Sequence, residues 1–545
     1  MAFVVSVLVA GVFLVLNGEF VLPMLYGDEG GYLGNARRVA DSVGASLHGY
    51  LAGYSLFLIP PALATNDPWI FYRLALDVNA VLAGATAGML VLLSRMLFPR
   101  ISRPMAGVAA LLAMTIGGVS VFPYYAMSEN VLVPAIVAAS LLLVLALRSE
   151  AAMPRRKLLA GFSFVCAFPA WANPRGLAIA VGGIAIAAVL LVLIDAWQPS
   201  DLLVVLGVMG AGLVLGELVN RAIVGTVTGT PGTDPAPYLD VIRDVGLWGS
   251  VALNFVRRLG YLTVASVGMI WVVVVWLART FSHRSVSTEE RDIVVTSLFV
   301  GVGVALSVVL NSMTIGLVED ARADLLFYGR YFEIFLPVLV VIAVGLAVSR
   351  LSRSEMRIVA LLSLVSAVIA AAALSVESLD RAYTPINAIS IYAIAVFMEL
   401  DVVLAFVVGG VVAGSVWLAM SVRLRMGLAY AGAALVVIAI SAYGSVLLPP
   451  RQWRSTQVVI SEALLDMQKA NQLECLGVLP FPDEWHQTHQ YLYFVPGLDL
   501  EQSANPLCGL RVGSAPQYAA RSGAIRLAYE PVLDLYLWRE ANTAD

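Results

Sequence analysis

Apolar residues run through this chain in long blocks separated by short polar stretches. A bilayer span needs about 20 mostly apolar residues. Thirteen segments meet that need: 2–22, 69–94, 105–122, 130–147, 158–172, 177–194, 202–220, 259–278, 293–312, 334–349, 357–375, 402–420 and 428–447. The first has no basic residues ahead of it and no small-residue cleavage site before Asn17-Gly18-Glu19, so it is expected to be a retained anchor rather than a signal peptide. Residues 49–65 are apolar but short and interrupted by Pro60-Pro61, which predicts a helix at the membrane interface. After Pro449-Pro450 the pattern changes. An amphipathic helix is expected over 455–471, with strands at 475–480, 491–495, 507–512 and 524–529. The predicted architecture is an all-α polytopic membrane domain over 1–450 and a small α/β domain over 451–545. No internal repeat is visible.

Composition agrees. Of 545 residues, 60% are hydrophobic and 13% charged, against roughly 25% charged in soluble domains. A soluble enzyme and a disordered chain are excluded, and a net charge of −4 gives no general basic surface for nucleic acid. There are 31 arginines and only two lysines, Lys157 and Lys469, a bias that points to a GC-rich genome. The basic loops carry Arg95, Arg100 and Arg103; Arg148, Arg155, Arg156 and Lys157; Arg279, Arg284 and Arg291; Arg350, Arg353 and Arg357; and Arg423 and Arg425. Cytoplasmic loops concentrate such residues. The alternate loops hold Asp28, Glu29 and Asp41; Asp234, Asp240 and Asp244; and Glu319, Asp320 and Asp324. Thirteen spans then leave the N-terminus cytoplasmic and the C-terminal domain extracytoplasmic. The loop 195–201 has no basic residue and does not contribute to this parity. Outside the membrane disulfides are permitted, and Cys475 and Cys508 each fall at an expected strand; they form a disulfide or remain two buried thiols. Cys166 lies in a span as a packing residue.

Charged residues in the outer loops are the candidates for chemistry. Tyr26-Gly27-Asp28-Glu29-Gly30-Gly31-Tyr32 places two acids after the first span among glycines. A carboxylate near low dielectric can have a raised pKa and act as a general base. Alternatively Asp28 lies in a solvated loop or caps a helix over 30–43. Glu129 follows Ser128 at the outer end of a span, where Ser128 is also a candidate cap. Arg175, in Asn173-Pro174-Arg175-Gly176, goes against the charge rule and either snorkels or binds an anion. The Gly/Thr/Pro-rich stretch 225–232 lacks the Gly-Lys-Ser/Thr ending of a P-loop and is expected to be a mobile flap. An amphipathic stretch, 238–258, leads to Arg257 and Arg258. Arg330, followed by Tyr331, sits where the chain re-enters the membrane, either as a bidentate phosphate ligand or paired with Glu333 on the same helix. His486 and His489 have metal-ligand spacing but no nearby partner and read as surface residues.

In order, these features resemble the GT-C superfamily of integral-membrane glycosyltransferases. The features are Asp28-Glu29 after the first span, Gly53-Tyr54-Ser55-Leu56 at the interfacial helix, Ser128-Glu129, Pro174-Arg175-Gly176, Gly329-Arg330-Tyr331 before a span, and a terminal domain outside. The likeness covers most of residues 1–350 and leans toward the aminoarabinose, mannosyl and arabinofuranosyl transferase branch. The resemblance implies a polyprenyl-phosphate sugar donor, reaction on the external face, and inversion at the anomeric carbon; the GC-rich, arginine-biased composition points to a bacterial plasma membrane and a cell-envelope glycan or glycolipid acceptor, with protein and lipid A as alternatives. Asp28 matches the family's catalytic acid by position, and Asp28 and Glu29 are the expected catalytic pair; Arg330, Arg175, Glu129, Tyr331, Arg257 and Arg258 are the expected contacts of the donor phosphate. No nucleotide cofactor is implied. No metal-binding motif is evident, and members vary in metal dependence, so a divalent metal stays open. Other readings are a polysaccharide ligase or polymerase, whose outer loops are rich in arginine and histidine, and a transporter or flippase, which places ionisable groups in mid-membrane; here Asp77 and Glu217 are the main in-span acids.

Overall fold

The computed structural model describes residues 1–18, 27–41, 50–193, 197–224, 241–282, 287–314, 326, 329–375, 388–444, 459–470, 472–473, 475–479, 495, 498–502, 508, 510–514, 517, 524–530 and 535–539. The expected flap 225–232, Asp234, Asp240, Glu319, Asp320, Asp324, His486 and His489 lie outside the described residues, as does most of the strand expected at 491–495.

The chain begins with α1 (Ala2–Gly18), α2 (Gly27–Asp41), α3 (Ser55–Ala64), α4 (Pro68–Leu97), α5 (Arg103–Met114), α6 (Gly117–Val121) and α7 (Glu129–Arg148). It continues through α8 (Ala152–Ala167), α9 (Pro169–Ala172), α10 (Leu177–Leu193) and α11 (Pro199–Val224). The second half contributes α12 (Trp248–Ala265), α13 (Met269–Ser282), α14 (Thr288–Thr314), α15 (Arg330–Glu333), α16 (Leu336–Ser349), α17 (Arg353–Leu374), α18 (Ile389–Ala395), α19 (Val402–Val422), α20 (Leu424–Ala442) and α21 (Val459–Lys469). Each of the thirteen expected segments contains a helix. Eight described helices are long and apolar enough to cross a bilayer, or up to ten if two bent pairs each count as one span. The protein is a multi-pass membrane protein.

Local sequence sets many helix starts. Asp67 accepts from the Trp69 and Ile70 N–H groups with Pro68 behind it, and Ser352 and Glu355 form a reciprocal capping box on α17; both satisfy donors that a helix start leaves unpaired. In α16 every residue from Leu336 to Ala347 is buried, as expected of a helix apolar on all sides at the centre of a bundle. It packs on α4, α5, α7, α13 and α14. Around it α1 lies along α4, α7 along α8, α8 along α11, and α17 along both α12 and α19.

Two expected spans are not straight. Segment 105–122 bends by 82° between α5 and α6. Segment 259–278 is split: α12 already starts at Trp248, absorbing the end of the expected 238–258 stretch, and the chain then turns by 104° into α13. At that corner Val267 (φ 50) and Gly268 (φ 76) take left-handed backbone, which glycine adopts without strain and valine does not. A Cβ on Gly268 would also sit 2.2 Å from Ser363 Oγ. Apolar composition shows no such corner, because both arms remain hydrophobic. Helix α12 is inverted relative to a soluble amphipathic helix: Trp248 and Phe255 are exposed while Asn254, Arg257, Arg258 and Tyr261 are buried.

Pro60 and Pro61 do not break the short apolar helix; they lie inside α3, which packs on α2 and α4. At the end of the chain, β1 (Cys475–Val478), β2 (Asp499–Gln502), β3 (Leu510–Ser514), β4 (Ile525–Glu530) and β5 (Leu535–Arg539) form one mixed sheet of order β2-β1-β3-β5-β4. Strand β1 is parallel to β2 and β3, while β5 is antiparallel to β3 and β4. Cys475 and Cys508 form a disulfide. Neither β2 nor β5 is among the expected strands. Leu476, Val478, Val512 and Leu537 of the sheet share one buried apolar cluster with Tyr32, Leu33 and Ala36 of α2 and Tyr54 and Leu58 of α3.

Candidate active site

The first turn of α2 carries Asp28 and Glu29, a favourable position for acids at the positive end of the helix dipole. Asp28 is neither a cap nor part of a solvated loop, since the helix starts at Gly27. Adjacent residues on a helix point about 100° apart, so the two carboxylates face different partners. Asp28 Oδ2 lies 2.8 Å from Arg330 Nη1, and its Oδ1 accepts from the Tyr50 hydroxyl at 3.2 Å. Glu29 is fully buried. Its Oε1 accepts from the Tyr72 hydroxyl at 2.8 Å and from the Ala126 N–H at 2.7 Å. Glu29 therefore ties α2 to α4 and to the turn before α7. Glu29→Ala should strand both donors and cost at least about 3 kcal/mol, read as a lower melting temperature in detergent; an unchanged melt would refute the tie.

Arg330, only 5% exposed, joins two carboxylates. Its Nε and Nη2 donate to Glu129, the latter at 3.1 Å, and its Nη1 reaches Asp28. Glu333, the alternative partner three residues on, instead receives the Tyr261 and Ser390 hydroxyls. Ser128 occupies the cap position of α7 without a capping bond. Its hydroxyl donates to Glu129 at 3.5 Å and accepts from Asn173 at 3.3 Å. Asn130 holds the preceding turn by donating to the carbonyls of Phe122, Tyr125 and Met127.

Asn173 Oδ1 accepts from the Arg175 N–H. The Arg175 guanidinium lies over the Tyr331 ring, 3.2 Å from its centroid, a cation–π contact. Its charge bears on both Asp28 and Arg258. Arg257 donates from Nε and Nη2 to the Ala373 carbonyl and from Nη1 to Asn254, while Arg258 donates to Ser312. Thus Asp28, Glu129, Arg330, Tyr331 and Arg175 are brought together by four separate stretches of chain; Arg257 and Arg258 are anchored deeper, on α12.

The expectation of a raised Asp28 pKa is overturned. Burial raises it, but the charge and hydrogen bond of Arg330, the Tyr50 hydroxyl and the charge of Arg175 together outweigh burial and hold it below the ordinary carboxylate value. Asp28 is thus an ionised acceptor held by an arginine and a tyrosine. Its side chain keeps 34% of its surface exposed, so it is open to a ligand. Among the described residues no three His, Cys, Asp or Glu side chains gather as a metal site. The in-span acids Asp77 and Glu217 pair with Arg73 and Arg221 one turn away.

Tyr50 was not anticipated. It lies 22 residues from Asp28, too far for helical spacing to report. Gly31 held an indirect trace of it: a Cβ there would fall 2.1 Å from the Tyr50 ring, so only glycine leaves room for it.

No protein-family model matches the chain, and no curated protein matches it in sequence. Solved structures do. The chain superposes on ArnT from Cupriavidus metallidurans bound to undecaprenyl phosphate with a TM-score of 0.52 at 14% identity, covering 99% of this chain and 98% of that one. Apo ArnT from the same organism gives 0.51 at 14% identity, covering 98% and 97%. The protein thus has the fold of the GT-C integral-membrane glycosyltransferases, with a small sheet-containing region at its C-terminal end.

Proposed function

We propose that the protein is a glycosyltransferase that moves a sugar from a polyprenyl-phosphate donor to a cell-envelope glycan or glycolipid acceptor. The observation that carries this reading is the Asp28–Arg330–Glu129 bridge, built at one end of an ArnT-like bundle. The undecaprenyl phosphate bound by ArnT supports the donor class. The ionised Asp28 carboxylate accepts the proton of an acceptor hydroxyl as that oxygen attacks the anomeric carbon. The bond to the phosphate breaks on the opposite face, which inverts the centre. In an oxocarbenium-like transition state the attacking hydroxyl acidifies late, so a carboxylate of low basicity suffices. Arg175, on Tyr331, is the cation for the departing lipid phosphate, backed by Arg257 and Arg258. Arg330 has all three nitrogens on carboxylates, so its task here is to position the base. Glu29 positions α2 rather than reacting. A bound divalent cation would add charge stabilisation at the phosphate.

A flippase or transporter is disfavoured because both main in-span acids are neutralised locally by arginines. In this proposal the reaction takes place on the outer face of a bacterial plasma membrane, with residues 1–450 as the catalytic membrane domain and 451–545 as an extracytoplasmic one. Purified protein in vesicles, offered a panel of polyprenyl-phosphate hexoses and pentoses with envelope acceptors, should transfer one donor class; turnover of none, alongside lipid movement across the vesicle, would favour the transporter. Protease added outside intact cells should cleave within 451–545, and protection there would reverse the orientation.

A further inference from the structure

Glu333 is a fully buried carboxylate that the proposed chemistry does not use. Four elements converge on it. It ends α15, whose first residue is Arg330. The Tyr261 hydroxyl from α12 and the Ser390 hydroxyl from α18 both donate to its Oε1, the latter at 2.7 Å. Tyr261 also accepts from the Ser390 N–H at 3.2 Å. Its ring fills the space at Gly329, where a Cβ would lie 2.1 Å away, so one tyrosine braces both ends of the turn that carries Arg330. From α6 the pair Gly117-Gly118 makes room. A Cβ on Gly117 would meet Ser390 Oγ at 2.6 Å, and one on Gly118 would fall 1.7 Å from Glu333 Oε2.

Oε2 is buried against the Gly118 backbone, whose pull on the carboxyl is weaker than the push of burial, and no side chain among the described residues partners it. Of the charged or titratable groups on these elements, Arg330 is committed to Asp28 and Glu129. Arg257 donates to Ala373 and Asn254, and Arg258 to Ser312. Tyr331 faces Arg175, Tyr392 is partly exposed on α18, and Tyr261 is a neutral donor. Burial pushes the Glu333 carboxyl up, and the Ser390 and Tyr261 hydroxyls and the Gly118 and Ser390 backbone, which pull it down, do not offset that because no cation among the described residues faces it. We propose that Glu333 works as an uncharged acid, a positioning residue that holds the Arg330 turn against α6, α12 and α18.

The inference rests on Arg330 serving the proposed transfer, so the test has an arm that needs no substrate. A proton kept in the folded state and lost in the unfolded one makes stability fall as pH rises above the ordinary glutamate pKa. The melting temperature of Glu333→Gln, measured against wild type, should therefore climb as pH rises above the ordinary glutamate value of about 4.3. A constant difference would overturn the uncharged state, whatever the enzyme's reaction. In the activity arm, Glu333→Ala and Gly118→Ala should lower kcat on the order of 10²-fold by displacing Arg330, with smaller changes in donor KM. Glu333→Gln, which keeps the shape of the protonated acid, should restore most of that loss. Full activity in Gly118→Ala, or a Gln variant as impaired as Ala, would overturn the positioning role. If Glu333→Ala does not fold, the Gln and Gly118 variants carry the decision.

Discussion

Asp28→Asn should lower kcat by about 10²–10⁴-fold, the range general-base catalysis contributes, while the protein remains monodisperse and continues to bind donor. The substitution preserves shape and the acceptor position for the Tyr50 hydroxyl, but removes the negative charge that Arg330 and the reacting proton both require. Asp28→Glu should also be slow, since the added methylene moves the carboxylate relative to Arg330, 2.8 Å away in the wild type. The sign of the pH dependence follows from the lowered pKa. Asp28 stays ionised down through the ordinary carboxylate range, so the acid limb of kcat/KM should begin below about pH 4. The Asp28–Arg330 contribution to stability is complete above the unfolded pKa and is lost as pH falls through the folded one. Transfer at wild-type rate by Asp28→Asn in a purified lipid assay would remove Asp28 from the mechanism.

Arg330→Ala should be the most damaging change to the site, in stability as well as rate. It leaves Glu129, fully buried, without the guanidinium that occupies both of its oxygens. Breaking a buried pair from one side costs about 3–5 kcal/mol. Asp28 loses its main lowering influence at the same time, so its pKa should rise and the acid limb should move up. Arg330→Lys separates charge from geometry: one ammonium cannot reproduce a planar fork spanning two carboxylates. It should recover part of the melting temperature and little of kcat. The decisive comparison is Arg330→Ala with Glu129→Gln, singly and together. Removing both partners should cost less than the sum of the single losses, because the double variant no longer buries the Glu129 charge unpaired. Additive losses would show that the bridge is not an energetic unit.

The two outer acids illustrate where sequence reading reached and where it stopped. The adjacency of Asp28 and Glu29 is plain in the chain, and so is their place after the first span. That they divide into an exposed carboxylate on Arg330 and a buried one on Tyr72 and Ala126 follows only once both lie in a helix. Arg330 was legible as an arginine at a membrane re-entry, with phosphate or Glu333 as partners. Its real partners are 201 residues away in Glu129 and on a different helix in Asp28. The inverted amphipathicity of α12, with Asn254, Arg257, Arg258 and Tyr261 on one face, is a local signal. Dividing the chain at 258 into an amphipathic stretch and a separate apolar span concealed that it continues through Tyr261.

By itself the sequence determined the bilayer as solvent, the helices and the alternation of basic and acidic loops, because hydrophobic run length and charge placement are local properties that water and lipid enforce segment by segment. The tertiary structure alone decided the corner at Val267-Gly268, the charge relations of Asp28, Glu129 and Arg330, and the burial of Glu333. These depend on which helices meet at one end of the bundle, and in low dielectric a partner a few ångströms away outweighs anything that neighbours in sequence can specify.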